Sequence, residues 1–145
     1  MNLNSVSTDH ELKLHHFGFV VSSIENSAES FARSLAATWD HKIILDPIQK
    51  VRVAFFRGPN SEDPLIELVE PGQSDSPVSR FLQQGGGLHH LCYEVNDLES
   101  HLKCCKSAGN IVIRQPVPAV AFAGRRIAWV ITRNKLLVEF LERQS

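Results

Sequence analysis

Along the chain, stretches of strand-like apolar residues alternate with stretches of helical spacing. Residues 14–21 (LHHFGFVV) are β-branched and aromatic and predict a strand. Ser22-Ser23 follow as a helix cap, and Ile24, Ala28, Phe31 and Leu35 then recur at helical spacing. Three further strands are expected at 40–46 (DHKIILD), 51–57 (VRVAFFR) and 65–70 (LIELVE). The second half repeats that order: a strand at 88–95, a helix at 97–108 begun by Asp97, and strands near 110–114, 125–132 and 136–142. The turn-rich stretches PGQSDSP (71–77) and QQGGG (83–87) bracket a short helical turn at 78–83 and join the halves.

The halves also match residue by residue. At an offset of 74, Leu14 falls on Leu88, His15 on His89, His16 on His90, Phe19 on Tyr93, Val21 on Val95, Ile24 on Leu98 and Glu25 on Glu99. At an offset of 72, LIELVEP (65–71) falls on LVEFLER (137–143), which aligns Glu67 with Glu139 and Glu70 with Glu142. Loop lengths absorb a two-residue difference, so the pattern is a degenerate tandem duplication. It predicts an α+β fold of two βαβββ modules, 14–71 and 87–142, in one domain over 14–141 behind a polar N-terminal tail at 1–13. A module of this size buries little core alone, so the two must pack together, within one chain or across a dimer.

Composition narrows the function classes. With 43% hydrophobic and 21% charged residues, the 145-residue chain has the make-up of an ordinary globular protein. A net charge of −1 offers no basic field for nucleic acid. The opening MNLNSVSTDHEL lacks a basic segment followed by an apolar run, so it does not read as a secretory signal. No stretch approaches the roughly 18 apolar residues of a membrane span. Cys92, Cys104 and Cys105 form no C-x-x-C pair and are odd in number, which suits a reduced, cytoplasmic location.

Chemistry concentrates in the repeated positions. Side chains alternate along a strand, so one histidine of each adjacent pair is expected on a given face. His16 lies with Gly18 and Val20, and His90 with Cys92 and Glu94. Glu67 and Glu139 sit in the middle of apolar runs, where a carboxylate is costly to bury unless it is paired or holds a metal. Two imidazoles and two carboxylates about a pseudo-twofold axis would form a metal site open to water or substrate. Because His15 and His89 recur as well, repetition alone does not choose between neighbours.

These features resemble the vicinal oxygen chelate superfamily of paired glyoxalase-like βαβββ modules, and within it the methylmalonyl-CoA epimerases. The resemblance rests on LHHFGFVV, IELVEP with DSPVSRFL, GGGLHHLCYEVNDLE and the terminal LLVEF, and spans about residues 14–141. It implies a cupped mixed sheet around one divalent ion (Co, Ni, Mn, Zn, Fe or Mg), with ligands at His16, Glu67, His90 and Glu139. It also implies a homodimer and an acyl-CoA thioester as the small-molecule substrate, with no nucleic-acid or membrane partner. The implied reaction removes and returns the α-proton of the thioester through a metal-stabilised enolate, with Glu139 as the catalytic base. The alternatives are a glyoxalase I-type lyase (lactoylglutathione lyase) and a metal-free small-molecule-binding resistance protein of the same fold. Two departures stand out. Val53 occupies the place where some epimerases carry a second acid, and Arg125-Arg126 stand in a segment unlike the family pattern.

Overall fold

A computed structural model describes residues 11–144. The N-terminal tail up to residue 10 lies outside the described residues. Strand β1 (Lys13–Val20) leads into helix α1 (Ile24–Ser34), then β2 (Ile44–Asp46), β3 (Val51–Phe56) and β4 (Leu65–Pro71). The short helix α2 (Ser79–Gln83) links these to β5 (Gly87–Val95), α3 (Leu98–Ser107), β6 (Ile111–Pro118), β7 (Arg126–Ile131) and β8 (Leu137–Glu142). A 3₁₀ turn, Val120–Phe122, interrupts the chain between β6 and β7.

The eight strands form one sheet in the order β2-β3-β4-β1-β5-β8-β7-β6. It reads the same from either end. β1 and β5 pair antiparallel at the middle, and each is flanked by the parallel last strand of its own half. This is the expected α+β arrangement of two βαβββ units, here joined edge to edge within one chain.

Alternation along the strands sorts the two faces. Leu68 and Phe56 pack under Ile24 and Ala28 of α1, while Val130, Val138 and Phe140 pack under Leu98, Leu102 and Cys105 of α3. The neighbouring residues Val53, Val69, Ile127 and Leu141 turn to the other, inner face. Helices α1 and α3 begin on a capping side chain: Ser23 accepts from the Asn26 N–H at 3.2 Å and Asp97 from the Ser100 N–H at 3.0 Å. Among the described residues no helix is long and apolar enough to cross a membrane.

The strand expected at 40–46 shrinks to Ile44–Asp46. Asp40 accepts from the Lys42 N–H at 2.9 Å and His41 takes a left-handed φ of 62°, so the first residues form a turn.

The duplication also extends to charge. Arg52 pairs with Glu70 and Glu25 in the first half, and Arg126 pairs with Glu142 and Glu99 in the second. Arg125 bonds the Glu94 carboxylate at 2.9 Å and the Glu142 carbonyl at 2.9 Å. The Arg125-Arg126 pair is therefore held by acids of its own chain. Glu70 is buried and also accepts from the Ile24 N–H at the start of α1. Arg52→Ala should lower stability by about 1–2 kcal/mol, because it strips a buried carboxylate of its cation. Arg126→Ala should cost less, since Glu142 is 31% exposed and water can replace the lost partner. Urea unfolding midpoints of the two variants, read with unchanged slopes, check that ranking.

Candidate functional site

The four expected residues meet on the inner face, and strand register explains how. One row across the sheet runs Glu67 on β4, Gly18 on β1 and His90 on β5. A second runs His16 on β1, Cys92 on β5 and Glu139 on β8. Each row is a histidine and a glutamate separated by a small residue, so the two longer side chains can close over it. Gly18 is required for space rather than conformation: a Cβ there would lie 1.9 Å from His90 Cε1. Gly18 and Cys92 are spaced by the same 74 residues as the histidines, a signal available in the sequence.

All four side chains are buried, His16 completely. His16 Nε2 and His90 Nε2 lie 3.3 Å apart. Glu67 Oε1 is 3.6 Å from the first and 3.5 Å from the second; Glu139 Oε1 is 3.3 Å and 3.9 Å away. Donors placed about 2.1 Å from a tetrahedral ion stand about 3.4 Å from one another. The five separations above, 3.3–3.9 Å, lie around that value, and His16, Glu67 and His90 offer donor atoms all within 4.8 Å of one another. Glu139 Oε1 is buried without a well-aligned hydrogen-bond partner among the described residues. Two neutral imidazoles and two carboxylates also suit a borderline-to-hard divalent ion. The residues present therefore fit a metal.

Electrostatics bind the set together. Burial by itself would lower the pKa of His16, but Glu67, Cys92 and Glu139 hold it well above the usual histidine value. Burial pushes Glu67 the other way, yet the two histidines keep its carboxyl far below the usual range. Burial and the neighbouring Glu139 raise the Cys92 thiol, so it stays protonated and passive.

A cavity of about 320 Å³ opens above these residues. Its walls are largely apolar, with Val51, Val53, Val69, Ala121, Phe122, Ile127, Trp129 and Leu137 among them. Phe122 stacks on His16 at 5.7 Å, and Trp129 meets the edge of His90 at 4.7 Å. The Phe122 turn, absent from the sequence reading, is fastened across the module junction: Asp46 Oδ2 accepts from the Val120 N–H at 3.2 Å. Asp46 Oδ1 accepts from the N–H groups of Ile48 and Gln49, so this acid of the cavity wall is fully engaged. Gln49 Oε1 accepts from Trp129 Nε1 at 3.4 Å, which leaves Gln49 Nε2 buried and without a partner among the described residues. Val53 lines the wall where a second acid was expected to be missing, and no carboxylate replaces it on β3.

His15 and His89 depart from expectation. Strict alternation places them on the opposite face, but the β1–β5 register slips at each of them, between Leu14 and His16 and between His90 and Leu88. Such a bulge breaks the alternation and re-aims a side chain. His15 Nδ1 therefore lies 2.8 Å from His16 Nδ1, His89 Nδ1 lies 2.8 Å from His90 Nδ1, and His89 reaches the cavity wall.

The chain is similar to known proteins in sequence and fold. A family model described as the Glyoxalase/Bleomycin resistance protein/Dioxygenase superfamily matches residues 15–129. The uncharacterized protein YqjC of Bacillus subtilis is 33% identical over 133 residues, covering 90% of this chain and 91% of that protein. An ethylmalonyl-CoA/methylmalonyl-CoA epimerase of Cereibacter sphaeroides is 30% identical over 131 residues, covering 88% of this chain and 95% of the epimerase. The crystal structure of a methylmalonyl-CoA epimerase from Mycobacterium tuberculosis superposes with a TM-score of 0.82 at 23% identity, covering 98% of this chain and 95% of that one, and shares its fold.

Proposed function

This chain belongs to the glyoxalase/bleomycin resistance protein/dioxygenase superfamily, and from that premise we propose that it is a metal-dependent epimerase of a small acyl-CoA thioester of the methylmalonyl-CoA kind. The observation that carries the reading is the convergence of His16, Glu67, His90 and Glu139 on one point beneath an apolar cavity. These four would hold one divalent ion, which when bound would polarise the thioester carbonyl and offset the negative charge that develops on deprotonation. Glu139 Oε1 takes the α-proton, since it is buried without an aligned hydrogen-bond partner among the described residues. The Gln49 Nε2 donor, buried in the cavity wall without a partner among the described residues, would be available to an acyl oxygen, and the valine-rich wall would keep water from the reacting carbon. Since Val53 supplies no acid, return of the proton on the opposite face does not fall to β3. A metal-free binding protein would leave Glu139 Oε1 buried without an aligned partner among the described residues, which weighs against that alternative.

Elemental analysis should find about one divalent ion per chain, and the loaded protein should exchange the α-proton of methylmalonyl-CoA for deuterium in heavy water. Chiral analysis of the same samples separates exchange from inversion. Metal bound without exchange would remove the epimerase reading and leave the site standing.

A further inference from the structure

The repeated histidine pairs assign a second task to their first members. Resting on the ligand set of the preceding subsection, we propose that His15 and His89 are positioning residues that hold the rings of His16 and His90 in the metal-ready tautomer. In each pair the two Nδ1 atoms lie 2.8 Å apart, a hydrogen-bond distance that admits one proton between them. The Nε2 atoms of His16 and His90 face each other and both carboxylates at the centre of the site. An Nε2 that offers its lone pair to a cation leaves the ring proton on Nδ1. That Nδ1–H then donates to the Nδ1 of the preceding histidine, which must carry its own proton on Nε2. Ligating histidines characteristically give their second N–H to an acceptor that fixes ring and tautomer. Here that acceptor is another imidazole, supplied twice by the duplication.

Three further observations support the assignment. Both first histidines sit at register slips of the β1–β5 pairing, and without the slips neither ring would lie beside its neighbour. Both rings are clamped by aromatic contacts, His15 against Phe122 at 5.5 Å and His89 against Phe81 at 4.8 Å. Both are half-buried, so water competes weakly for the shared proton.

The test uses the full-length protein loaded with Zn²⁺, which is diamagnetic and permits ring-nitrogen NMR. Zinc affinity is measured by chelator competition for wild type, His15→Asn, His15→Phe, His89→Asn and His89→Phe. The Asn side chain keeps an oxygen near the position of Nδ1, so the Asn variants should bind zinc within about threefold of wild type. Each Phe variant should bind about 10–100-fold more weakly, the usual effect of removing such a partner. Long-range ¹H–¹⁵N spectra of the wild type should show His15 and His89 protonated on Nε2 with bare Nδ1. Phe variants that bind zinc as tightly as wild type, or spectra with the proton on Nδ1 of His15 and His89, would overturn the positioning role alone. A wild-type protein that takes up no zinc would overturn the ligand set, and the positioning role with it.

Discussion

Glu139→Gln should lower α-proton exchange on methylmalonyl-CoA by about 10²–10⁴-fold, the range of a positioned proton-transfer group, while the protein keeps a bound divalent ion. The amide oxygen of glutamine still donates to a cation but accepts no proton, so the substitution separates ligand from base. The informative control is Glu67→Gln, the same chemical change at the repeat-related position. Glu67 lies almost equidistant from both ligand histidines, 3.6 Å from one and 3.5 Å from the other, so it sits between the two rings as a ligand. Glu139 Oε1 approaches His16 closely but finds no aligned donor among the described residues. Glu67→Gln should therefore leave exchange within about tenfold of wild type. Metal content by elemental analysis and deuterium incorporation by mass spectrometry are read on the same preparations. Equal losses in the two variants would show that the carboxylates share the proton-transfer role and would end the single-base assignment.

Much of this site is legible in the sequence because the duplication makes each half a copy of the other. One polar residue in an apolar strand is ambiguous; the recurrence of Glu67 as Glu139 narrows the choice, whereas His15 and His89 recur beside His16 and His90, and only the family resemblance chooses between those neighbours. The same offset carries Arg52 to Arg126, but that match sits outside the apolar pattern, and only the fold shows the two ion clusters it builds. What stayed hidden is set by pairing between distant strands. The register slips at His15 and His89 have no local signature, because they arise only when β1 lies against β5. Reading alternation along each strand alone therefore sends both rings to the wrong face. The Phe122 turn is hidden for the same reason, since the Asp46 carboxylate that fastens it comes from the other module.

Gly18 offers the sharpest test of the two-row architecture. Gly18→Ala adds one methyl group to a position whose Cβ would lie 1.9 Å from His90 Cε1, 2.4 Å from Nδ1 and 2.4 Å from Nε2. The His90 ring has little room to yield, because Trp129 at 4.7 Å and His89 at 5.1 Å both pack against it. The imidazole must swing out of the row, which withdraws a ligand and breaks its bond to His89 together. Metal affinity should fall by more than the 10–100-fold typical of losing an outer partner alone, and proton exchange should fall with it. The overpacking should also cost about 1–3 kcal/mol of stability, measurable by urea unfolding of metal-free protein. Cys92→Ala is the matched control in the other row, since it removes atoms opposite His16 rather than adding them. It should keep the ion. A double-mutant cycle completes the argument: once His90→Ala has removed the ring, adding Gly18→Ala should cause no further loss of metal affinity. If Gly18→Ala binds metal like wild type, His90 does not reach the ion across that row, and the symmetric four-residue site is wrong.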